Sequence, residues 1–172
     1  MTRILGIDPG SRATGFGIIE ASGTRAIHVA NGCLQVKGDT LAVRLRAIFD
    51  GLSEVIRTHD PQEVAIEQVF VHRNPNSALK LGQARGAAIC AAAIQSLPLF
   101  EYSPAQVKQA VVGTGAAAKL QIQYMTGLLL RLTDPIQPDA ADALAVALCH
   151  GHHHQVLGRV SEVRGWRRGR WR

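Results

Sequence analysis

The chain has 172 residues, 47% of them hydrophobic, which suits one domain with one sizeable core. Its longest apolar stretch, near Gly86 to Ile94, is too short to span a bilayer, and the run Ile4 to Ile7 is cut short by Asp8 before it reaches signal-peptide length, so a cytoplasmic protein without a membrane partner is expected. The net charge of +6 points to an acidic partner, but residues 151–172 hold six arginines (Arg159, Arg164, Arg167, Arg168, Arg170, Arg172) against Glu162 alone, so the body is close to neutral and the tail carries the excess.

In chain order, Arg3 to Asp8 reads as a buried strand ending in a carboxylate, followed by a turn at Pro9-Gly10-Ser11. Thr14 to Ile19 reads as a second strand paired back as a hairpin, and residues near His28 to Val36 as a third. Leu41 to Thr58 is a helix, because Leu41, Leu45, Ile48, Leu52, Val55 and Ile56 recur at three- and four-residue spacing. Glu63 to Phe70 is a short apolar strand containing Glu67, with a polar loop from Val71 to Pro75. Ser77 to Gln95 is a helix rich in small residues, and Pro98 to Glu101 a short strand. Ser103-Pro104 reads as an N-cap with proline at the first helical position, opening a helix to about Val111. Gly113-Thr114-Gly115 interrupts it, a helix follows from about Ala117 to Leu132, and Asp139 to about His150 is the last helix. From Gly151 hydrophobic periodicity fails and a flexible basic tail is expected. Strands that begin as a meander and then alternate with helices predict an α/β domain over residues 1–150, with a mixed sheet covered by helices.

Three cysteines, Cys33, Cys90 and Cys149, are far apart and form no ligand pair, so they read as ordinary small residues. Four acids stand out instead. Asp8 ends a buried strand, Glu67 lies in an apolar strand, and Asp139 and Asp142 share one face at a helix start. An ionised carboxylate in an apolar strand is costly unless it is paired or binds a cation. Each acid also has a plainer reading: Asp139 as an N-cap, Asp142 as a complement to the helix dipole, Asp8 as a turn cap, and Glu67 as partner of a buried arginine. The order strand, strand, Asp-x-x-Asp helix favours one shared site. All-oxygen ligation favours Mg²⁺, with Mn²⁺ able to substitute, and one or two such ions can activate water for phosphodiester hydrolysis.

The segments Ile4-Leu-Gly-Ile-Asp-Pro-Gly-Ser11 with Thr14-Gly15, Ala65 to Phe70, Ser77 to Gly86, Phe100 to Tyr102, Gln106 to Gln109, Val111 to Gly113 and Asp139 to Ala145 resemble the RuvC family of Holliday-junction resolvases, over residues 3 to about 150. The resemblance implies an RNase H-like fold with a mixed five-stranded sheet. It implies a homodimer that makes paired, symmetric nicks in four-way DNA junctions, in recombination and repair, with Asp8, Glu67, Asp139 and Asp142 as catalytic metal ligands for two ions per site. A RuvAB branch-migration complex is an implied partner. The resemblance further assigns Phe70 to base stacking and places Lys108 and Lys119 at the DNA near the metal, where the plain readings are a core aromatic and solvated lysines. Arg73, Lys80 and Arg85 are further DNA-contact candidates, with a structural or dimer role as the alternative for Arg85.

Two other classes remain open at this point. One is an ATP-binding phosphotransferase that uses the Asp8-x-Gly10 turn, although its two-lobed relatives are far longer. The other is a junction-binding protein without catalysis. His150, His152, His153 and His154 read as part of a solvated tail with adventitious metal affinity. Trp166 and Trp171 among the tail arginines suggest an arm that grips DNA, with a solubilising terminus as the alternative.

Overall fold

The structure, a computed structural model, describes residues 1–23, 25–69 and 75–168, with side chains described as far as residue 153. Among these, β1 (Thr2–Asp8), β2 (Ala13–Ser22), β3 (Arg25–Gln35), β4 (Glu63–Glu67) and β5 (Leu99–Tyr102) form one sheet in the order β3-β2-β1-β4-β5. The first three strands pair antiparallel, and β4 and β5 then run parallel to β1. This is the expected mixed five-stranded sheet, with helices on both faces.

Alternation along the strands divides the core in two. Leu5, Ile7, Ile18, Val64 and Ile66 face α1 (Leu41–His59) and α2 (Pro75–Ile94), meeting Ile48, Leu52, Ile56, Ala88 and Ala92. Thr40 caps α1 by accepting from the Val43 amide, and Asp60 ends the helix in the left-handed region. Each large aliphatic side chain sealed in this layer contributes roughly 1.5–3 kcal/mol. On the opposite face Ile4, Ile19, Ala65 and Tyr102 meet α3 (Pro104–Val112), α4 (Lys119–Leu129) and α5 (Pro138–Arg168). The Ser103 cap expected at α3 is a full capping box with Gln106.

Between the sheet and the outer helices lies α5, buried on nearly every side from Ala140 to Gly151. It sits against strand backbone. A Cβ on Gly6 would lie 2.1 Å from the Ala143 carbonyl oxygen, and one on Gly15 would lie 1.9 Å from that of Asp139. At Gly17 the side chain of Leu144 fills the space, 2.6 Å from where a Cβ would be. Any larger residue at these three positions would push the helix off the sheet.

Two expectations are corrected here. The last helix does not stop near His150 but continues to Arg168. Gly151, the expected start of the tail, packs against the side chains of Ala21, Ile4 and Ile19 and is a contact point inside the helix. The histidines from residue 150 onward are not all solvated tail. His150 is buried, with Nε2 2.7 Å from Glu63 Oε2 and Nδ1 2.7 Å from the Tyr102 hydroxyl. It also lies against the Phe100 ring, and His153 lies against that of Tyr102.

Candidate active site

β1 and β4 run side by side in parallel and end on Asp8 and Glu67, so both carboxylates emerge at the same edge of the sheet. The main-chain contact at Gly15 holds the N-terminal turn of α5 over that edge and brings in Asp139 and Asp142. One carboxylate oxygen from each of Asp8, Asp139 and Asp142 can be chosen so that all three lie within 4.8 Å of one another. Glu67 stands outside this tight triad and shares a cavity of about 210 Å³ with Asp142, Lys108 and Lys119. Asp139 is not acting as a side-chain cap. Among the described residues its partner is Cys33, whose Sγ lies 3.8 Å from Oδ2.

The electrostatics show how costly this grouping is. Burial, then the charges of Glu67, Asp142 and Asp139, push the Asp8 carboxyl up from 3.8 to about 7. Burial and then Asp142 raise that of Glu67, against the opposing pull of Lys119 and Lys108. Lys119 Nζ lies 2.6 Å from Asp142 Oδ2, and this hydrogen bond holds the ammonium above its ordinary range. Two lysines do not neutralise four gathered acids. Hard oxygen donors with excess negative charge fit a divalent cation.

Of the other candidates, Lys119 bonds Asp142 and Lys108 lines the cavity beside Glu67, whereas Lys80 does not line it. Lys80 lines a separate cavity of about 230 Å³ between α1 and α2, with Arg44 and Leu79. Phe70 and Arg73 lie outside the described residues. Arg85 is structural: its Nε donates to the Glu67 carbonyl oxygen at 3.1 Å and its guanidinium pairs with Glu101 at 2.8 Å, tying α2 to β4 and β5. The sequence reading missed Cys33, which burial and Asp139 hold above the ordinary thiol range. It also missed Thr14, which is buried and donates to the Gly10 carbonyl oxygen at 3.2 Å, bracing the turn after Asp8. The pairing of Thr14 with Gly15 directly after that turn was the signal available for it.

These features define an RNase H-like domain with a carboxylate centre at the carboxyl ends of two parallel strands and the start of a covering helix. The family model described as crossover junction endodeoxyribonuclease RuvC matches residues 4–150. The chain is 53% identical over 175 residues to the crossover junction endodeoxyribonuclease RuvC of Shewanella amazonensis, covering all of both chains. It is 54% identical over 172 residues to that of Hahella chejuensis, again covering all of both. Among solved structures it is similar to T. thermophilus RuvC in complex with Holliday junction substrate, at 32% identity and a TM-score of 0.84, covering 91% of this chain and 96% of that one. The chain belongs to the RuvC family.

Proposed function

We propose that this chain is a crossover junction endodeoxyribonuclease that resolves four-way DNA junctions by hydrolysing phosphodiester bonds. The observation that carries this reading is the convergence of Asp8, Asp139 and Asp142 within 4.8 Å in a chain of this family. These three would hold a divalent cation, with Glu67 completing the donor set for one ion or a pair. All-oxygen donors suit Mg²⁺, with Mn²⁺ as substitute. A cation bound there supplies Lewis acidity to a water and to the leaving 3′ oxygen.

The chain's own residues set the rest. Lys119 fixes the Asp142 carboxylate by direct hydrogen bond, and Lys108 shares the cavity with Glu67. A phosphate entering that cavity meets two ammonium groups that can take up developing negative charge. Pairing of two copies through α2 would place two such centres about a two-fold axis, matching a two-fold junction and giving paired symmetric nicks. Phe70 would stack on an unpaired base beside the cut. A RuvAB-type branch-migration complex is the partner expected for such an enzyme, in the cytoplasm. Neither a phosphotransferase nor a purely binding role is favoured by this arrangement.

The test is incubation with a synthetic four-way junction and Mg²⁺, with a linear duplex as control. Paired nicks in the junction alone are expected. Binding without cleavage, or ATP hydrolysis without DNA, would overturn the reading.

A further inference from the structure

A groove of about 580 Å³, larger than the cavity at the lysines, opens between β3 and the segment joining α4 to α5. Its lining includes His28, Asn31, Cys33, Arg131, Thr133 and Gln137. Leu132 and Ile136 form its floor against the core under α5, while its other lining residues are mostly polar, and its volume is in the range of small-ligand sites. Cys33 connects it to the carboxylate centre, since its Sγ lies 3.8 Å from Asp139 Oδ2. Gln137 stands two residues before that same acid.

The strand is shaped for this lining. Ile18 pairs with Ala30 and Ile19 with His28, so Val29 is an extra residue in β3. Such a bulge re-aims side chains. It puts His28 on the same face as Asn31, and Asn31 Nδ2 donates to His28 Nε2 at 2.8 Å. Burial lowers the proton affinity of His28, which suits a neutral ring accepting at Nε2 and carrying its proton on Nδ1. Among the described residues, Asn31 Oδ1 and His28 Nδ1 have no further partner. An acceptor and a donor on two bonded neighbouring side chains offer the groups that a base edge with an amine and a ring nitrogen requires. At the rim, Arg131 is exposed, sits in the left-handed region after α4, and has no ion-pair partner among the described residues. Asp134 is the sole acid among the lining residues.

We infer that this groove seats one nucleotide of the cleaved strand next to the scissile phosphate, with Asn31, His28 and Gln137 at the base edge and Arg131 on the backbone. The inference rests on the nuclease reading above and deepens it. A strand whose phosphate lies on the carboxylates has its neighbouring nucleotide within reach of the opening at Cys33. The groove would therefore hold the residues that select the nucleotide beside the cut.

The experiment compares the full chain with its Asn31→Ala, Arg131→Ala and Thr133→Trp variants on four-way junctions varied one nucleotide at a time around the cut. Thr133 is exposed, so tryptophan there occludes the groove without entering a core. Asn31→Ala should flatten discrimination at one position by about tenfold, redistributing cuts among sequences. Arg131→Ala should lower the salt slope of binding by about one unit. Thr133→Trp should do both, with melting curves unchanged. Unaltered discrimination and slope in all three variants would overturn the groove, as would an unsubstituted chain indifferent to sequence. If the unsubstituted chain leaves every junction uncut in Mg²⁺, the nuclease reading fails instead. The groove is then judged by binding alone, where unchanged affinity of Thr133→Trp overturns it.

Discussion

Helix α5 carries buried charge in two places that behave in opposite ways. Near its middle, His150 meets Glu63 at 2.7 Å and the Tyr102 hydroxyl at 2.7 Å, so each polar group is answered by another. At its start, Asp139 and Asp142 meet Asp8, with Glu67 nearby, and burial together with the neighbouring acids raises the proton affinity of Asp8 and Glu67. The same helix against the same sheet thus holds a satisfied network and an unsatisfied one. A satisfied network is explained by folding alone. An unsatisfied one costs stability and requires another reason for existing.

The largest expected effect separates the two by activity. Asp8→Asn, Glu67→Gln or Asp142→Asn should each lower junction cleavage by roughly a hundredfold or more while leaving junction binding nearly intact. Asp139→Asn belongs in the same set, because its side chain bonds Cys33 and does not cap the helix. Single-turnover cleavage rates decide the matter, and wild-type rates in the Asp8 or Glu67 variant would sink the proposed centre.

Breaking the satisfied network should act on stability instead. His150→Ala removes the buried imidazole that bonds both Glu63 and the Tyr102 hydroxyl and should cost about 3–5 kcal/mol in urea unfolding. Cleavage per folded molecule should change little. A loss well under 1 kcal/mol would show that solvent already satisfies Glu63.

The third expectation inverts the usual sign of a mutation. The folded-state value for Asp8, about 7, lies above its ordinary 3.8. Between those values the folded chain binds more protons than the unfolded chain, so cation-free stability falls as pH rises through this window. Asp8→Asn should therefore stabilise the chain in EDTA at pH 8 by about 1–3 kcal/mol, with the gain vanishing near pH 4. Melting temperatures at both pH values check this. An equal effect at the two would place the cause outside the charge of Asp8.

The smallest effect concerns the far end of α5. Removing residues 155–172 takes away all six tail arginines but spares Gly151 and its contacts with Ala21 and Ile4. If the arginines grip phosphates, the slope of log affinity against log salt should fall by several units, at about 0.9 per phosphate contact. Cleavage at saturating enzyme should persist. An unchanged slope would leave the electrostatics to the body of the chain.

Most of the framework was legible in the sequence because it rests on local signals. Alternation and apolar runs gave the strands, the three-and-four spacing gave α1, and Ser103-Pro104 gave the start of α3. Asp8 and Glu67 stood out because charge inside apolar segments is rare, and Asp139 and Asp142 because residues three apart at a helix start share one face. What escaped depends on distant contacts. Nothing local to His150 announces Glu63, 87 residues away. Gly151 marks only the end of the apolar periodicity until β2 is known to lie beside it. Cys33 reaches Asp139 across 106 residues, and which face it occupies was set by a bulge that no residue in β3 advertises.

The glycine contacts under α5 also bear on how this protein can change. The spacing between Asp8 and the acids of α5 is gauged by main chain touching main chain at Gly6 and Gly15, not by the fit of side chains. Leucines and isoleucines elsewhere in the core can be exchanged for one another at modest cost, because their volumes can be redistributed. No such exchange exists for a contact that leaves no room for a Cβ. Under mutational drift or deliberate redesign, the hydrophobic interior is therefore the replaceable part of the molecule. Its fixed dimensions reside in the few positions where it carries no side chain at all.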